Sequence, residues 1–540
     1  MIRSEVINKF LSDKEFVSYD HIIVATDGVV LNWEEIAENQ GMSRLADIIS
    51  SAYDTDSLCD TLKQLRGSFA GVVYDKNKKS IVAYVDQFAT KTLFYYQNNN
   101  YFIVASDVSE ICRINKAMGM PIELDLVGAY SLLSYGYMLG NRTIIKGVYR
   151  LKEGELLSYK EGQINLKKYY KFNFLEKQIS FDDAINKIDQ LFTRAVMMHH
   201  KKNIRNGYID VVPLSAGMDC RMTSYVLRAN TSNPIINFTY SETGQYDEIV
   251  PSVMAKEQKN KWIFKSLDNG LDLENIDEAI CLSDTLIKYD WPAQLIDFLK
   301  TVDTSCWGII STGVIGDVII GCFEKSSSMH RDYRIGDGAF SSRLINKLKK
   351  IIETEKELPV LSYEEGMMSN RAINGACLGY SRTFRHFAED MSPFMNVDFA
   401  EFCFSLPLEY SRNHNIYYEW VKKKYPQAAK HKHNGIRIDG NLKIRYHGRS
   451  YRIKSLFDVI RNKVKRDLIK TGYGMNPEQT WYDNNSSLKR TMDDYFSNHS
   501  SVLNQWDELK KDVEDLYVNG SAVEKILAIS LVGNIYSIFA

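Results

Sequence analysis

The stretch YIDVVPLSAGMDCRMTSYVLRA, residues 208–229, decides the fold of this chain. Its first five residues are rich in β-branched and aromatic side chains and predict a buried strand, whereas the apolar residues after position 221 recur at helical spacing. Between them, Ser215, Ala216 and Gly217 are small enough to let backbone N–H groups approach an anion at a helix N-terminus. The stretch therefore predicts a strand, a phosphate-binding turn and a helix, although an ordinary strand-turn-helix corner explains so short a string equally well.

A second aspartate gives this turn a chemical partner. Asp219 ends the turn, and Asp317 follows another predicted strand, residues 307–312. Parallel sheets bind their ligands at the carboxyl ends of the strands, so the two carboxylates are expected at one site. Together with the Ser215 hydroxyl, they suit a magnesium ion and phosphate oxygens. A helix cap or a surface role is the simpler interpretation of either aspartate alone, but the pair favours ATP chemistry.

Composition excludes several classes of function. The 540 residues are 44% hydrophobic with 10 prolines, which is typical of a chain folded throughout. The 67 basic and 68 acidic residues nearly cancel, which argues against a nucleic-acid or anionic membrane surface. We find no signal-peptide core and no run of about 18 apolar residues, so we expect neither export nor a membrane span. The 8 scattered cysteines predict free thiols in a reduced cytoplasm and no structural zinc site.

The pattern of the chain changes between residues 170 and 181. Up to residue 170, short strand-type runs separated by turn sequences predict an α+β domain with a mostly antiparallel sheet. From Phe181 onward, helical stretches alternate with short apolar runs, which predicts βαβ units on a parallel sheet. The last third, residues 340–540, is expected to be helical. The predicted fold class is therefore α/β, with two domains.

Four segments resemble the asparagine synthetase family, in the family's order. Residues 215–220 match its Ser-Gly-Gly-x-Asp-Ser loop, with alanine and cysteine as departures at the second and sixth positions. Residues 238–255 are similar to its second strand, loop and helix, and residues 312–323 to its Ser-Gly-Glu-Gly-x-Asp-Glu-x-x-Gly-Gly-Tyr signature. Residues 392–399 resemble the segment that begins Pro-Phe-Leu-Asp. The resemblance thus covers nearly the whole chain.

The resemblance implies a specific architecture. Residues 1–172 are expected to form an α+β domain of the Ntn-hydrolase type, like a class II glutamine amidotransferase. Residues 180–540 are expected to form an ATP-pyrophosphatase domain. That domain would combine a parallel sheet of the adenine nucleotide α-hydrolase-like (PP-loop) type with a helical C-terminal part.

Two departures predict that the first domain does not hydrolyse glutamine. A working domain of this type has cysteine directly after the initiator methionine, because its thiol attacks the glutamine amide, but position 2 is Ile2. The family's Asn-Gly-Glu-Ile-Tyr-Asn stretch appears as residues 27–32 and begins with Asp27 instead of the asparagine that helps to form an oxyanion hole. A carboxylate there would repel the developing oxyanion. We therefore expect a domain retained as a packing partner.

The second domain is expected to be an adenylating enzyme. The resemblance implies that it activates a carboxylate with ATP and Mg²⁺, releases pyrophosphate and then forms an amide bond. Asp219 and Asp317 are the expected catalytic and magnesium-binding carboxylates. Lys432 is the expected lysine for the adenylation step, with Lys430 and His433 as alternatives for that position. The residues expected to contact the nucleotide are Leu214, Ser215, Ala216, Gly217, Met218, Asp219, Cys220, Tyr240, Thr312 and Gly313.

Two valines distinguish this chain from asparagine synthetases. Val314 and Val318 stand where the family carries glutamate, and the first of these glutamates helps to position or deprotonate the nitrogen nucleophile. Valine cannot do this. Either another group acts as base, or the amine arrives neutral, or amide formation has been lost.

Two functions stay open at this point. The first is a cytoplasmic, ATP-dependent ligase that joins a small-molecule or peptide carboxylate to ammonia or a substrate amine, as β-lactam synthetases and lasso-peptide cyclases do without the N-terminal cysteine. The second is a catalytically retired scaffold that binds nucleotide or a partner protein. The residues expected to bind pyrophosphate agree better with the family motif than those expected to bind the nitrogen nucleophile, and this favours the ligase. Neither function predicts nucleic-acid or membrane partners, and a homodimer is compatible with both.

Overall fold

Two antiparallel sheets form the N-terminal part of the molecule. A computed structural model describes residues 7–324, 331–355, 360–432, 438, 443–446, 449–452 and 476–539. One sheet has the strand order β1-β2-β3-β4-β8-β9 and the other the order β6-β5-β7. The strands are β1 Phe16–Ser18, β2 Ile22–Val30, β3 Gly67–Asp75, β4 Ser80–Val85, β5 Phe94–Gln97, β6 Phe102–Ala105, β7 Tyr149–Arg150, β8 Glu155–Lys160 and β9 Gln163–Lys168. The predicted antiparallel α+β arrangement is confirmed.

Five helices accompany these sheets. They are α1 Trp33–Gln40, α2 Leu45–Asp54, α3 Leu58–Gln64, α4 Val108–Ala117 and α5 Leu126–Tyr135. Alternate residues of β2 are buried, and Ile22 and Val24 share an apolar cluster with Ile48 and Ile49 of α2. Such alternation is what a strand with one face on a helix requires. Asp27 lies inside β2, because this strand continues to Val30.

A five-stranded parallel sheet forms the centre of the second part. Its order is β12-β11-β10-β13-β14, and every neighbouring pair is parallel. The strands are β10 Ile209–Pro213, β11 Ile235–Ser241, β12 Lys261–Ser266, β13 Trp307–Ser311 and β14 Glu389–Met391. The predicted parallel sheet is confirmed. Sequence reasoning missed β14, because three residues that begin with two acids give no strand signal.

The central strand β10 is covered on both faces. Val212 packs with Phe192 and Val226, whereas Val211 packs with Phe298 and Trp307 on the other side. Both valines are fully buried. A strand buried on both faces reads as an apolar run, which the sequence shows at residues 211–214, after the buried Asp210.

Helices make up most of the remaining structure. They are α6 Phe181–Arg205, α7 Asp219–Asn230, α8 Tyr246–Glu257, α9 Ile276–Ser283, α10 Asp290–Thr301, α11 Gly316–Ile320, α12 Ile345–Glu355, α13 Tyr363–Gly366, α14 Leu378–Phe384, α15 Val397–Phe404, α16 Leu408–Ser411, α17 Asn415–Lys424, α18 Pro426–Lys430, α19 Glu478–Asn484, α20 Ser486–His499, α21 Asp507–Asn519 and α22 Ala522–Phe539. A π-helix spans Met367–Cys377. The last third also contains an antiparallel hairpin of β15 Lys443–Tyr446 and β16 Arg449–Arg452, so it is not purely helical as predicted.

Among the described residues, one helix is long and apolar enough to cross a membrane. This helix is α22, and 72% of it is buried inside the molecule. Its residues Leu527, Leu531 and Ile535 are fully buried in a large apolar cluster. Burial of this extent is what the core helix of a globular protein shows, although the sequence pattern had suggested no segment of this length.

Candidate active site

The predicted phosphate loop, residues 214–218, lies at the carboxyl edge of the parallel sheet, between β10 and α7. Strand β11 holds the start of the loop. The Leu214 N–H donates to the Phe238 carbonyl at 2.8 Å, and the Leu214 carbonyl accepts the Thr239 hydroxyl at 2.7 Å. The turn thus occupies the edge at which parallel sheets bind their ligands.

Two N–H groups of the loop have partners inside the protein. The Ala216 N–H donates to Oδ1 of Asp247 at 2.8 Å, and the Gly217 N–H donates to Oγ of Ser215 at 3.1 Å. Ala216 is not among the residues with positive φ, so its Cβ takes the place of a glycine hydrogen without backbone strain. An anion that binds the Ala216 N–H must displace the Asp247 carboxylate.

Asp219 and Asp317 lie side by side, as the sequence predicted. The Asp317 N–H donates to Oδ2 of Asp219 at 3.1 Å, and the Tyr417 hydroxyl donates to Oδ1 at 2.8 Å. Burial, and then the nearby Asp317 carboxylate, raise the pKa of Asp219 well above its ordinary value, and the two hydrogen bonds oppose this rise. The geometry is therefore a pair of neighbouring carboxylates whose mutual repulsion disfavours the charge of Asp219.

Two glycines allow the loop after β13 to approach Asp219. A Cβ on Gly313 would lie 2.3 Å from the backbone nitrogen of Cys220, and a Cβ on Gly316 would lie 2.8 Å from the carboxyl carbon of Asp219. Contacts this short do not occur between real atoms, so both positions require glycine. This close packing of the loop on the start of α7 brings Asp317 beside Asp219.

The carboxylate pair fits a magnesium ion bound together with a nucleotide. Across the residues that the structure describes, no three His, Cys, Asp or Glu side chains converge as a metal cage. The protein would supply Asp219 and Asp317, and phosphate oxygens and water would complete the coordination, as is common for magnesium in nucleotide sites. A divalent cation would also remove the repulsion that raises the pKa of Asp219.

Lys432 lies in a segment that packs against the start of α7. The backbone carbonyl of Lys432 accepts a hydrogen bond from the Arg221 guanidinium at 2.9 Å. Lys430 is exposed, and its ammonium group donates to Gln427 at 2.7 Å. The choice between Lys432 and Lys430 for the adenylation step stays a prediction, and His433 lies outside the described residues.

Other residues predicted for nucleotide binding line the same edge of the sheet. Thr312 is buried, and its N–H donates to β14 at 2.9 Å. The Tyr240 hydroxyl bonds with the Tyr380 hydroxyl at 3.1 Å, so this large side chain is held by a second tyrosine. Burial and the Asp219 carboxylate raise the pKa of Cys220 to about 12, which makes this thiol a neutral, weak hydrogen-bond donor.

The positions of the family glutamates are apolar. Val314 and Val318 are each 9% exposed and belong to the cluster that contains Phe394 and Met218. The Ser392 hydroxyl donates to the Val314 carbonyl at 2.9 Å and fixes this turn. A cationic amine gains no counter-charge from these valines. Met218 is also 3% exposed, so its contribution to the predicted nucleotide site is a backbone contribution.

Sequence reasoning missed three residues that hold the site together: Arg221, Asp247 and Tyr417. The sequence could have indicated a structural role for Arg221. A charged residue in the first turn of a helix that follows a buried strand needs hydrogen-bond partners. Tyr417 and Asp219 are 198 residues apart, and no local pattern connects them.

The contact between the N-terminal sheets and β14 contains a buried ion cluster. The Lys91 ammonium donates to Glu389 at 2.7 Å, and Lys14 contacts the same carboxylate at 2.5 Å. Burial opposes the charge of Lys91, but Glu389 and then Asp27 outweigh burial and raise the pKa of Lys91. Asp27 therefore lies within reach of this cluster, while Ile2 lies outside the described residues.

A second polar cluster lies at the start of α10. Lys288 and Asp290 form a buried ion pair, and the Lys288 ammonium lies 5.2 Å from the Trp291 ring centroid. Oδ1 of Asp290 and Nε2 of Gln294, one helical turn apart, are buried and have no hydrogen-bond partner among the described residues. Trp291 packs against Gly379, whose sequence neighbour Tyr380 is hydrogen-bonded to Tyr240 of β11.

The chain is similar to glutamine-hydrolysing asparagine synthetases. Residues 16–170 match the family described as a glutamine amidotransferase domain. Asparagine synthetase 2 (glutamine-hydrolyzing) of Methanocaldococcus jannaschii is 25% identical over 262 residues, which cover 46% of this chain and 49% of that protein. Asparagine synthetase 1 (glutamine-hydrolyzing) of Bacillus subtilis is 23% identical over 202 residues, which cover 36% of this chain and 30% of that protein. The chain thus spans about half or less of the length of these relatives. The comparisons confirm the resemblance to the asparagine synthetase family and assign a glutamine amidotransferase domain to residues 16–170.

Proposed function

We propose that this chain is an ATP-dependent ligase that activates a carboxylate as an acyl-adenylate and forms an amide with ammonia or a substrate amine. The observation that carries the proposal is the contact between Asp219 and Asp317, where the Asp317 N–H donates to the Asp219 carboxylate at 3.1 Å. The pair lies at the ends of neighbouring parallel strands, directly beside a loop of small residues. This combination of anionic pair and anion-binding loop suits magnesium pyrophosphate.

The first chemical step would be attack of a substrate carboxylate oxygen on the α-phosphorus of ATP. The bond to the β-phosphate breaks and pyrophosphate leaves, so the step requires positioning and charge stabilisation rather than a protein nucleophile. Magnesium would supply electrostatic neutralisation of the phosphates. The loop residues 215–217 would bind phosphate oxygens, and Tyr417 would keep the Asp219 carboxylate oriented.

In the second step the amine nitrogen would attack the acyl carbon, the bond from that carbon to the AMP phosphate oxygen would break, and the proton lost by the nitrogen would pass to the departing AMP phosphate or to water. Val314 and Val318 offer no base for that proton. A neutral amine, held in an apolar environment, makes the base unnecessary until after attack. The cluster of Lys288, Asp290 and Gln294 supports an acceptor-binding role, because its buried unpartnered atoms offer one acceptor and one donor to a polar substrate.

We also propose that the first domain does not hydrolyse glutamine. Asp27 places a carboxylate where the family's oxyanion hole has an asparagine amide. Burial raises the pKa of Cys112 to about 12, which is opposite to what a nucleophilic thiol needs. Glutamate release from glutamine should stay at background, and a rate coupled to ATP consumption would contradict this part of the proposal.

A retired scaffold is the second candidate, and the apolar environment of Val314 and Val318 favours it. The decisive experiment measures pyrophosphate release from ATP and Mg²⁺ over a panel of amino acids, sugar acids and short peptides, with and without amines. Asp219→Ala and Asp317→Ala should abolish release, while the exposed Asp494→Ala serves as a matched control that leaves release unchanged. ATP binding without release under every condition would support the scaffold and refute the ligase.

A further inference from the structure

Arg221 is fully buried in the first turn of α7, and its guanidinium joins two separate segments. Nη2 donates to the Ala216 carbonyl of the phosphate loop at 2.7 Å and to the Lys432 carbonyl at 2.9 Å. Nη1 donates to the carbonyls of Ala428 at 3.0 Å and His431 at 2.9 Å. One side chain thus connects the phosphate loop with the segment that carries Lys432.

The charge of Arg221 persists in this buried position. Burial lowers the pKa of Arg221 to about 10, which leaves the guanidinium protonated at neutral pH. Its four described hydrogen-bond partners are neutral carbonyls. The Asp247 carboxylate, which accepts the Ala216 N–H, is a nearby opposite charge.

Segment 428–432 is also held from its opposite side. The imidazole Nε2 of His431 contacts the Glu257 carboxylate at the end of α8 at 2.8 Å. Segment 428–432 therefore contacts α8 through the His431 side chain and Arg221 through its backbone carbonyls. A shift of the phosphate loop at Ala216 must be transmitted to this segment or must break the guanidinium hydrogen bonds.

We propose that Arg221 is a positioning residue that couples the phosphate loop to segment 428–432, so that a nucleotide bound in the loop fixes Lys432 at the reacting phosphate. The kinetic consequence rests on the proposed ligase function, whereas the coupling itself does not. Arginine is required because a planar guanidinium can serve four carbonyls in fixed directions, and a lysine ammonium has only three donors.

The test compares Arg221→Met with Arg228→Met. Arg228 is a matched control, because it lies on the same helix and also donates to backbone carbonyls, those of Thr231 at 3.1 Å and Asn233 at 2.8 Å, but away from segment 428–432. Hydrogen exchange of peptides that contain residues 214–218 and 428–432 is measured with and without magnesium and ATP. In the wild type both peptides should become protected at the same ATP concentration.

In Arg221→Met we expect exchange of segment 428–432 to rise at least tenfold and to lose its response to ATP, while Arg228→Met behaves as the wild type. Pyrophosphate release should fall about 100-fold in kcat, as a misplaced catalytic group implies, with the KM for ATP changed less than fivefold. Lys432→Met should lower kcat for pyrophosphate release by a similar factor. The double variant should have a kcat only slightly below that of either single variant. Arg221→Lys should show smaller changes in exchange and in kcat than Arg221→Met. It serves as the second variant if Arg221→Met does not fold.

Several outcomes would overturn the proposal. Exchange of segment 428–432 that stays within twofold of the wild type in both Arg221 variants would refute the coupling. Equal effects of Arg221→Met and Arg228→Met, or multiplicative kinetic losses with Lys432→Met, would also refute it. If the wild type binds ATP but releases no pyrophosphate, the ligase function fails, and the exchange data still decide whether Arg221 couples the two segments.

Discussion

Replacement of Asp219 by asparagine should stabilise the protein while it removes the proposed magnesium site. In the absence of metal, the Asp219 carboxylate is partly buried and lies beside the Asp317 carboxylate, and both effects disfavour its charge. An asparagine of the same shape keeps the hydrogen bonds: its oxygen can accept the Asp317 N–H, and its amide can donate to the Tyr417 oxygen. The substitution therefore removes the repulsion at the cost of one acceptor, that of the Tyr417 hydroxyl hydrogen.

The expected gain is about 1–2 kcal/mol, the usual size of a stabilising change at an electrostatically strained functional site. For a cooperative unit of a few hundred residues, this corresponds to about 2–4 °C in melting temperature. The gain depends on pH. Because the pKa of Asp219 in the folded state is raised, the folded form favours the protonated acid. The stability of the wild type is therefore greatest below about pH 4, the ordinary pKa of an aspartate, and falls as the pH rises through the raised pKa.

The assay is a thermal melt of the wild type and Asp219→Asn at several values between pH 5 and pH 8, with and without magnesium and ATP. Without ligand, Asp219→Asn should melt higher than the wild type, and the difference should grow with pH. With ligand, the order should reverse, because only the wild type gains stability from binding. A lower melting temperature of the unliganded Asp219→Asn, or a difference that is independent of pH, would refute the electrostatic reasoning.

Five further substitutions test other parts of the structure. Tyr417→Phe removes a hydrogen bond of 2.8 Å to a carboxylate, worth about 1.5–3 kcal/mol, and should slow pyrophosphate release about 10- to 100-fold. Gly313→Ala should abolish ATP affinity and lower the melting temperature, because its Cβ would meet backbone atoms, whereas Gly217→Ala should be milder, because its Cβ meets a movable Ser215 hydroxyl at 3.0 Å. Glu389→Gln should lower the free energy of unfolding by about 3–5 kcal/mol, because it leaves Lys14 and Lys91 without their buried carboxylate. The two lysines lower the pKa of Glu389 to about 2, so this loss, measured by denaturant unfolding, should be full at neutral pH and shrink below about pH 4. Gln294→Leu should raise the KM for the acceptor substrate without a change in the KM for ATP, and equal changes in both would contradict an acceptor role.

Local sequence patterns were enough to predict those elements whose secondary structure depends on residues close in sequence. The strand at residues 209–213, the small-residue turn and the helix that starts at Asp219 follow in turn from the apolar run at residues 211–214, the absence of bulky side chains and a helical repeat. The position of Asp317 beside Asp219 followed from a general rule of parallel sheets, since the carboxyl ends of neighbouring strands meet at one edge.

Long-range contacts were not accessible from these patterns. The partner of Asp219 on α17 and the carbonyl partners of Arg221 near residue 430 come from parts of the chain about 200 residues away, and their spacing carries no periodic signal. The short strand β14 is similar, because Glu389 owes its place to Lys14 and Lys91 in the first domain. These positions are determined by tertiary partners and not by propensity.

The retained and altered halves of the site differ in what their chemistry demands of the protein. Attack on a phosphate ester always develops and redistributes negative charge, so the aspartate pair, the loop and a cation near it have no apolar substitute. Attack by an amine requires only that the nitrogen be neutral. A protonated amine transferred next to Val314 and Val318 loses its water and finds no carboxylate, so its pKa falls and the neutral, nucleophilic form is favoured. In the proposed ligase, the two valines would thus promote the second step by desolvation, where glutamate would promote it by accepting a proton, and this would select an amine that carries its own apolar group over ammonia.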